Sequence, residues 1–150
     1  MLDDMPLTDP TGGTCSIART ITAVGDRWSL LVLREAAMGT SRFTEFRQRL
    51  GIASDVLTDR LQSLVDLGLL ERVAYQEEGS RTRTEYRLTD AGREFHIVLS
   101  ALGGWGREHL PSEVDSGAHY RDAAGRPVHV AFVDEDGRVL DAEQVSVSRR

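Results

Sequence analysis

The stretch that decides the fold runs from Ser41 to Gly92 and reads SRFTEFRQRLGIASDVLTDRLQSLVDLGLLERVAYQEEGSRTRTEYRLTDAG. Beyond residue 53 its apolar residues recur at helical spacing, at Leu57, Leu61, Leu64 and Leu67. The opposite side carries short or planar polar groups, at Ser54, Asp55, Thr58, Asp59 and Gln62. Such groups can reach base edges in a DNA major groove about 12 Å wide. The pattern predicts a helix with one packed side and one side suited to reading DNA.

A second, shorter helix is expected just before this one, from Thr44 to Leu50, with Phe46 and Leu50 on its buried side. Gly51 supplies the backbone freedom that a helix end needs, and Ile52 fills the corner between the helices. Ala53 stands where a polar cap is usual, so Ser54 and Asp55 are expected to take over that role. Together the two helices predict a helix-turn-helix.

Two strands with alternating polarity follow, Leu70 to Ala74 and Glu85 to Leu88. The segment between them carries Arg81 and Arg83. A basic hairpin beside a helix-turn-helix is typical of a wing that lies along phosphates or enters the minor groove. The fold class expected is therefore α+β, a winged helix-turn-helix.

The charge of the whole chain, −6, argues at first against a nucleic-acid partner. All 18 basic residues are arginine, and residues 41–93 hold nine of them beside nine acidic residues. The excess of acid therefore lies outside the winged-helix stretch. A neutral DNA-binding unit predicts modest affinity per chain, so we expect dimerisation.

Residues 1–14 are expected to form a flexible tail, followed by a helix with Ile17, Ile21 and Val24 on one side. Ser16 is a candidate cap for this helix. Asp26 is expected to cap the next helix, from Trp28 to Met38. Trp28 is the expected anchor of the small core.

No catalytic, metal or cofactor site is expected. Cys15 is the only cysteine, and the histidines include no pair at helical metal spacing. No phosphate-binding glycine loop or nucleophile elbow occurs, so we expect no enzyme. No apolar run approaches the roughly 18 residues of a membrane span, and the acidic N-terminus is unlike a secretory signal. The expected location is cytoplasmic, with no membrane partner.

Several motifs together resemble one family, the HxlR-type branch of MarR-like transcriptional regulators. They are CSI (15–17), VGDRWS (24–29), LVLR (31–34), RFTEF (42–46), GI (51–52), LTDRL (57–61), LGL (67–69) and EYRLTDAG (85–92). The resemblance covers residues 15–110, which we take as one domain. It implies a bacterial DNA-binding regulator, more often a repressor, that binds an inverted-repeat operator in double-stranded DNA.

The resemblance also implies residue roles. DNA contacts are expected at Arg60, Arg81 and Arg83, and with less support at Arg42 and Arg47. Thr89-Asp90 is expected to cap a helix from Ala91 to about His109, in which Gly103-Gly104 favours a bend or a close helix approach. By the resemblance, this helix pairs with the N-terminal helix around a twofold axis. The expected homodimer interface contains Ile17, Ile21, Phe95, Leu99, Leu102 and Trp105. These flanking dimerisation helices would set the two recognition helices about 34 Å apart, one turn of DNA.

Two release signals remain open for such a regulator. One is a small-molecule effector that enters between the dimer helices and the winged domain. The other is thiol chemistry at Cys15. An inert cysteine would explain the presence of Cys15 equally well. Two other functions remain open as well. They are a protein–protein module without DNA binding, favoured by Asp55 and Asp59, and more remotely an enzyme.

Residues 111–117 are expected to form a linker, and residues 118–150 a small antiparallel β extension. Its predicted strands are Ala118 to Asp122, Val128 to Val133, Val139 to Leu140 and Gln144 to Val147. Asp136-Gly137 is a strong hairpin signal. Acidic residues exceed basic ones here, so this extension is not expected to face DNA.

Overall fold

A computed structural model describes residues 10–110, 112–114 and 117–148. Its helices are α1 (Ser16–Val24), α2 (Arg27–Ala37), α3 (Phe43–Leu50), α4 (Ser54–Asp66), α5 (Asp90–Glu94) and α6 (His96–His109). Its strands are β1 (Leu70–Tyr75), β2 (Arg83–Leu88), β3 (Phe132–Val133) and β4 (Val139–Leu140). The chain divides into two compact units, Met1–His96 and Ile97–Arg150. Most of the predicted tail, residues 1–9, and part of the predicted linker lie outside the described residues.

The core of the first unit lies where α2, α3 and α4 pack together with β1 and β2. Its buried apolar residues are Val24, Val32, Leu33, Phe46, Ile52, Leu57, Leu61, Leu64 and Leu70. The predicted leucine stripe is thus buried over its first three members, whereas Leu67 at the helix end is exposed. The prediction for Trp28 is wrong. Its indole is half-buried, with the Arg27 guanidinium 4.6 Å from the ring centroid, and the interior is filled by aliphatic residues and Phe46.

The turn between α3 and α4 has the predicted conformation. Gly51 has φ +61°, in the left-handed region where a β-carbon is strained, and its N–H donates to the Arg47 carbonyl over 3.0 Å. Ile52 next to it is buried. This short connection fixes the direction in which α4 leaves α3.

The wing is an antiparallel hairpin whose register runs from Leu70 opposite Leu88 to Tyr75 opposite Arg83. Each strand is slightly longer than the sequence indicates. A single bridge between Arg42 and Glu85 adds the segment before α3 to the other edge of β2, and the Tyr86 N–H donates to the Ser41 carbonyl over 2.8 Å. The helix-turn-helix and the wing are therefore joined by backbone pairing.

The predicted long helix after the wing is in fact two helices. Thr89 caps α5 by accepting from the Gly92 N–H over 3.1 Å, as its position predicts. The interruption falls at Phe95 and not at Gly103-Gly104, and the division between the two units follows it, after His96. Those glycines stay helical because a cost of about 1 kcal/mol each is too small to break a hydrogen-bonded helix.

The second unit contains α6 and two tight turns built in the same way. The carboxylate of Asp122 accepts from the N–H groups of residues 124 and 126, and that of Asp134 accepts from residues 136 and 138, each over 2.9 Å. Gly125 and Gly137 have positive φ in these turns. The hairpin predicted at Asp136-Gly137 is confirmed, with β3 paired to β4.

Three of the predicted strands in the extension are wrong in extent or type. Residues 118–122 have one isolated bridge, between Arg121 and Pro127, and of residues 128–133 the last two form β3. Proline has no N–H, so the bridge at Pro127 does not extend into a ladder. The predicted strand Gln144 to Val147 is not formed. Gln144 ends a short 3-10 turn, Ala142–Gln144, in which its side chain accepts from the Asp141 N–H over 2.8 Å, and residues 145–147 are in neither a helix nor a strand. Within the described ranges, no helix combines the length and the hydropathy needed to span a bilayer.

Candidate nucleic-acid interface

The polar side of α4 is exposed along its first two turns. Leu57, Leu61 and Leu64 on the other side are 0% exposed and hold the helix against the core. The exposed residues are Ser54, Asp55, Thr58 and Asp59. This side has the size and chemistry to meet the edges of base pairs, with hydroxyl groups and carboxylates but no exposed cation.

The start of α4 differs from the expectation. Ala53 occupies the N-cap position, and its methyl group cannot accept a hydrogen bond. Ser54 is already the first helical residue, so it does not cap, and its carbonyl accepts from the Thr58 hydroxyl over 2.7 Å. Asp55 lies in the first turn, where its negative charge interacts favourably with the helix dipole.

Arg60 has a partner within the chain. Its Nε lies 3.0 Å from Oδ1 of Asp26, and both side chains are 25% exposed. The same carboxylate oxygen accepts from the N–H groups of Trp28 and Ser29 over 3.1 and 3.0 Å, so Asp26 caps α2 as predicted. Arg60 therefore ties α4 to the start of α2. A DNA contact from Arg60 stays a prediction. The charge of Arg60 is already partly compensated by Asp26.

Gln62 is also engaged within the chain. Its amide nitrogen donates to Asp66 over 2.6 Å, and its amide oxygen accepts from Arg72 of β1. The Arg72 guanidinium lies 6.0 Å from the Tyr86 ring centroid. These contacts link the middle of α4 to the wing. A base contact from Gln62, which stays a prediction, would have to replace one of them.

The wing presents two exposed cations. Arg81 and Arg83 are exposed, and neither has an ion-pair partner among the residues that the structure describes. The hairpin tip is shaped by a bond from the Gln76 side chain to the Ser80 carbonyl over 2.8 Å and by Gly79 with φ +76°. Arg81 is thus displayed on an ordered turn and Arg83 at the first residue of β2, as a phosphate or minor-groove contact requires.

Arg42 is placed between the two parts of the motif. Its guanidinium pairs with Glu77 of the wing tip over 2.8 Å and lies 4.6 Å from the Tyr75 ring centroid. Burial alone would lower the pKa of Arg42, but the charges of Tyr75 and Glu77 and the hydrogen bond to Glu77 raise it above its ordinary value. Its contacts within the chain hold the wing beside α3. A phosphate contact from Arg42 remains a prediction.

The exposed side of α3 offers further cations. Arg47 and Arg49 are both exposed, and Arg47 lines a shallow hollow of about 410 Å³ with Thr44, Gln48 and Gly51. This hollow adjoins the turn that leads into α4. The sequence prediction did not include Arg49. The side of a short helix on which a charged residue lies is not known until the packing of Phe46 is known.

A buried carboxylate supports the base of the wing. Glu85 of β2 is 7% exposed, and it accepts from the Ser41 hydroxyl over 3.0 Å and from the Arg87 Nε over 2.7 Å. Burial alone would raise its pKa, but the hydrogen bonds from Arg87 and Ser41 and the charges of Arg87 and Arg42 lower the pKa below its ordinary value. Sequence reasoning missed this residue. The available signal was an acidic side chain at an inward position of a strand.

The residues assigned to a dimer interface are partly exposed. Ile17 and Ile21 lie one turn apart on α1 and are exposed, as are Leu102 and Trp105 of α6. Phe95 and Leu99 are half-buried, and so is Cys15, which occupies the N-cap position of α1 in place of the predicted Ser16. Apolar side chains exposed on two helices are a recognised mark of an interaction surface.

The comparisons with known proteins agree with this geometry. Residues 23–114 match the family described as HxlR-like helix-turn-helix. An uncharacterized HTH-type transcriptional regulator of Mycobacterium tuberculosis is 46% identical over 96 residues, which cover 64% of this chain and 60% of the relative. One from a Synechocystis strain is 36% identical over 104 residues, covering 69% and 76%. The match thus spans less than two thirds of the mycobacterial relative.

The chain is similar to solved structures over different shares of its length. PA1607, described as a candidate transcription factor, has a TM-score of 0.75 and 36% identity, and the match covers 95% of this chain and all of that one. The redox regulator HypR in its reduced form has a TM-score of 0.58 and 26% identity, with 65% of this chain and 95% of that one covered. PA1607 is therefore similar over nearly the whole chain, and HypR over about two thirds of it.

Proposed function

The chain belongs to the HxlR-like helix-turn-helix family, and from that membership we propose that it regulates transcription as a DNA-binding homodimer, acting in the cytoplasm on an inverted-repeat operator. The observation that carries the proposal is the exposed polar side of α4, backed by fully buried leucines and placed beside a wing with two accessible arginines. In this arrangement α4 enters the major groove while Arg81 and Arg83 contact the flanking backbone or minor groove.

The homodimer is supported by the exposed apolar residues of α1 and α6. One winged unit with balanced charge makes few phosphate contacts, so two units on one duplex are needed for useful affinity. A dimer covering about two turns of DNA near a promoter excludes polymerase, which makes repression the simpler outcome. Asp55 and Asp59 would then accept hydrogen bonds from cytosine amino groups, because carboxylates are repelled by phosphates.

Release from DNA by a signal belongs to the same proposal. One route is a small-molecule effector that alters the angle between the recognition helices. The other is modification of Cys15, which is half-buried at the start of α1 beside the exposed Ile17. The similarity to HypR, a redox regulator, supports the second route at 26% identity. An adduct or a Cys15–Cys15 bridge there would disturb the surface assigned to the dimer.

One observation favours a different function, a protein–protein module without DNA binding. The exposed side of α4 carries Asp55 and Asp59, and its one arginine, Arg60, is paired with Asp26. A basic peptide or a basic protein surface would complement this side better than a phosphate backbone does. The two functions differ in their dependence on salt and on the wing arginines.

The test is fluorescence anisotropy with a duplex selected from a random library, titrated at several salt concentrations. Binding should weaken linearly in a plot of log affinity against log salt. Arg81→Gln and Arg83→Gln should each weaken binding to all sequences and lower the slope by about two for the dimer, one for each copy of the lost contact. Arg126→Gln, whose side chain pairs with Asp122 in the second unit, is the matched control and should leave the slope unchanged. A chain that retains no duplex at low salt contradicts the proposal and favours the protein–protein module.

A further inference from the structure

The second unit encloses a cavity that the DNA-binding function does not use. Its volume is about 690 Å³, within the range of about 300–1,000 Å³ typical of small-molecule sites. The residues that matter for its chemistry are Gly104, Trp105, Arg107, Tyr120, Arg121 and Phe132. Three of them belong to α6, two to the segment that follows it, and Phe132 to β3, so the cavity is built within one unit.

The walls of the cavity are aromatic. Trp105 is 59% exposed and Phe132 is 57% exposed, which leaves two large apolar surfaces in contact with solvent. Tyr120 is half-buried, and burial raises the pKa of its phenol while the nearby charge of Arg107 lowers it. Exposed aromatic groups around one concave space mark a site for an apolar, planar partner.

The floor of the cavity includes a glycine that packing within the chain does not require. A β-carbon at Gly104 would meet no atom within 4 Å, although glycine in the middle of a helix costs about 1 kcal/mol relative to alanine. Gly106, whose β-carbon would also meet no atom within 4 Å, is outside the lining, whereas Gly104 is one of the lining residues. A side chain there would occupy volume that a ligand needs.

The charge of the lining differs from that of its surroundings. The second unit holds more acidic than basic residues, yet the lining contains two arginines and one acidic residue, Glu108. The Glu108 carboxylate lies 3.9 Å from the His109 Nε2. One N–H of Arg121 donates to the carbonyl of Gly125, a residue outside the lining, over 2.9 Å. Cations beside aromatic walls favour an anion with a planar body.

We propose that this cavity binds a planar aromatic carboxylate, with its ring between Trp105, Tyr120 and Phe132 and its carboxylate at Arg107 and Arg121. Guanidinium groups match carboxylates in charge and geometry, and the aromatic side chains supply stacking surface. This site does not rest on the proposed DNA binding, because its residues lie in the second unit and its test measures ligand binding directly.

The cavity and the expected dimer surface use different sides of α6. Ser100, Gly104 and Glu108 are spaced by four residues and line the cavity. Leu99 and Leu102 are absent from the lining and lie on other sides of the helix. Trp105 borders both sides, so occupancy of the cavity can be sensed at the surface assigned to the dimer.

The test is isothermal titration of the full chain with 2-naphthoate, using 2-naphthamide as the uncharged probe of the same shape. We expect saturable binding with one site per chain, and binding of the amide weaker by about tenfold or more, because it lacks the charge that strengthens hydrogen bonds to arginine. Arg107→Gln and Arg121→Gln should each weaken binding of the carboxylate by a similar factor. Arg138→Gln, an exposed arginine of the second turn outside the lining, should change nothing.

A steric variant pair separates the cavity from general effects on the helix. Gly104→Leu places a side chain at the cavity wall and should weaken binding, while Gly106→Leu, also in α6 with no atom within 4 Å of its β-carbon but outside the lining, should bind like the wild type. Leucine favours helix more than glycine does, so Gly104→Leu should melt no lower than the wild type. The proposal is overturned if 2-naphthoate shows no saturable binding at millimolar concentration, if Gly104→Leu binds it as tightly as the wild type does, or if the two leucine variants lose binding equally.

Discussion

Replacing Asp26 removes two interactions that meet at one carboxylate oxygen. Oδ1 accepts from the N–H groups of Trp28 and Ser29 over 3.1 and 3.0 Å, which caps α2, and it lies 3.0 Å from Nε of Arg60 on α4. Asparagine at this position keeps an oxygen for the cap but loses the charge, whereas alanine loses both. The pair Asp26→Asn and Asp26→Ala therefore separates the two contributions.

The expected magnitudes follow from the geometry. Loss of an N-cap costs about 0.5–2 kcal/mol, typically about 1. The ion pair is 25% exposed on both sides, so screening by solvent limits it to about 0.5–1 kcal/mol. Asp26→Asn and Arg60→Ala should each cost about 0.5–1 kcal/mol, and Asp26→Ala about 1–3 kcal/mol. Because Asp26→Asn and Arg60→Ala each remove the same ion pair, the double variant should cost less than the sum of the two single variants.

The assay is urea unfolding followed by circular dichroism at one fixed protein concentration, since association changes apparent stability. The reasoning is refuted if Asp26→Asn destabilises the protein as much as Asp26→Ala does, because the cap would then contribute nothing to stability. Full additivity of Asp26→Asn and Arg60→Ala would show that the pair contributes nothing. If Arg60 also contacts DNA, Arg60→Gln should lower the salt slope of binding by about two for the dimer, while Asp26→Asn leaves it unchanged. Equal slopes for the two variants would contradict that contact.

Three further predictions concern single positions. The pKa of Glu85 in the folded protein lies below its ordinary value of 4.5. Its contribution to stability is therefore present above about pH 4.5 and is lost as the pH falls through the lowered pKa. Glu85→Gln should reduce this loss of stability in acid, as measured by urea titrations at several pH values. A β-carbon at Gly92 would lie 2.1 Å from the Leu69 carbonyl oxygen, so Gly92→Ala should lower stability by about 1–3 kcal/mol. Gly106→Ala, where a β-carbon meets no atom within 4 Å, should raise stability by about 0.5–1 kcal/mol. Equal effects of the two substitutions would be inconsistent with the close approach at Gly92. Diamide should weaken operator binding by the wild type and leave Cys15→Ser unaffected, and unchanged binding in both would remove Cys15 as a sensor.

The features that sequence reasoning predicts correctly depend on residues close together in the chain. The leucine stripe fixes the packed side of α4, Gly51 fixes the turn before it, and the caps at Asp26 and Thr89 act within three residues. The wing follows from two alternating strands with a polar tip. These signals are local, so the winged helix-turn-helix is readable without coordinates.

The features that it misses depend on residues far apart in the chain. The pairing of Arg60 with Asp26, and that of Arg42 with Glu77, joins segments whose proximity only the folded core creates. Position along the chain, by itself, assigns both arginines to DNA. The size of Trp28 predicts a place in the core, but shorter aliphatic groups fill the interior, and its indole lies partly at the surface under the Arg27 guanidinium.

Hydroxyl-radical footprinting of the full chain on its selected duplex tests the central claim most directly, which is that two α4 helices read one duplex in register. We expect two protected segments whose centres lie about 10–10.5 base pairs apart, with protection at their flanks that disappears in the Arg81→Gln, Arg83→Gln double variant while the central protection remains. A single protected segment, or flanking protection that persists in this double variant, would contradict the account.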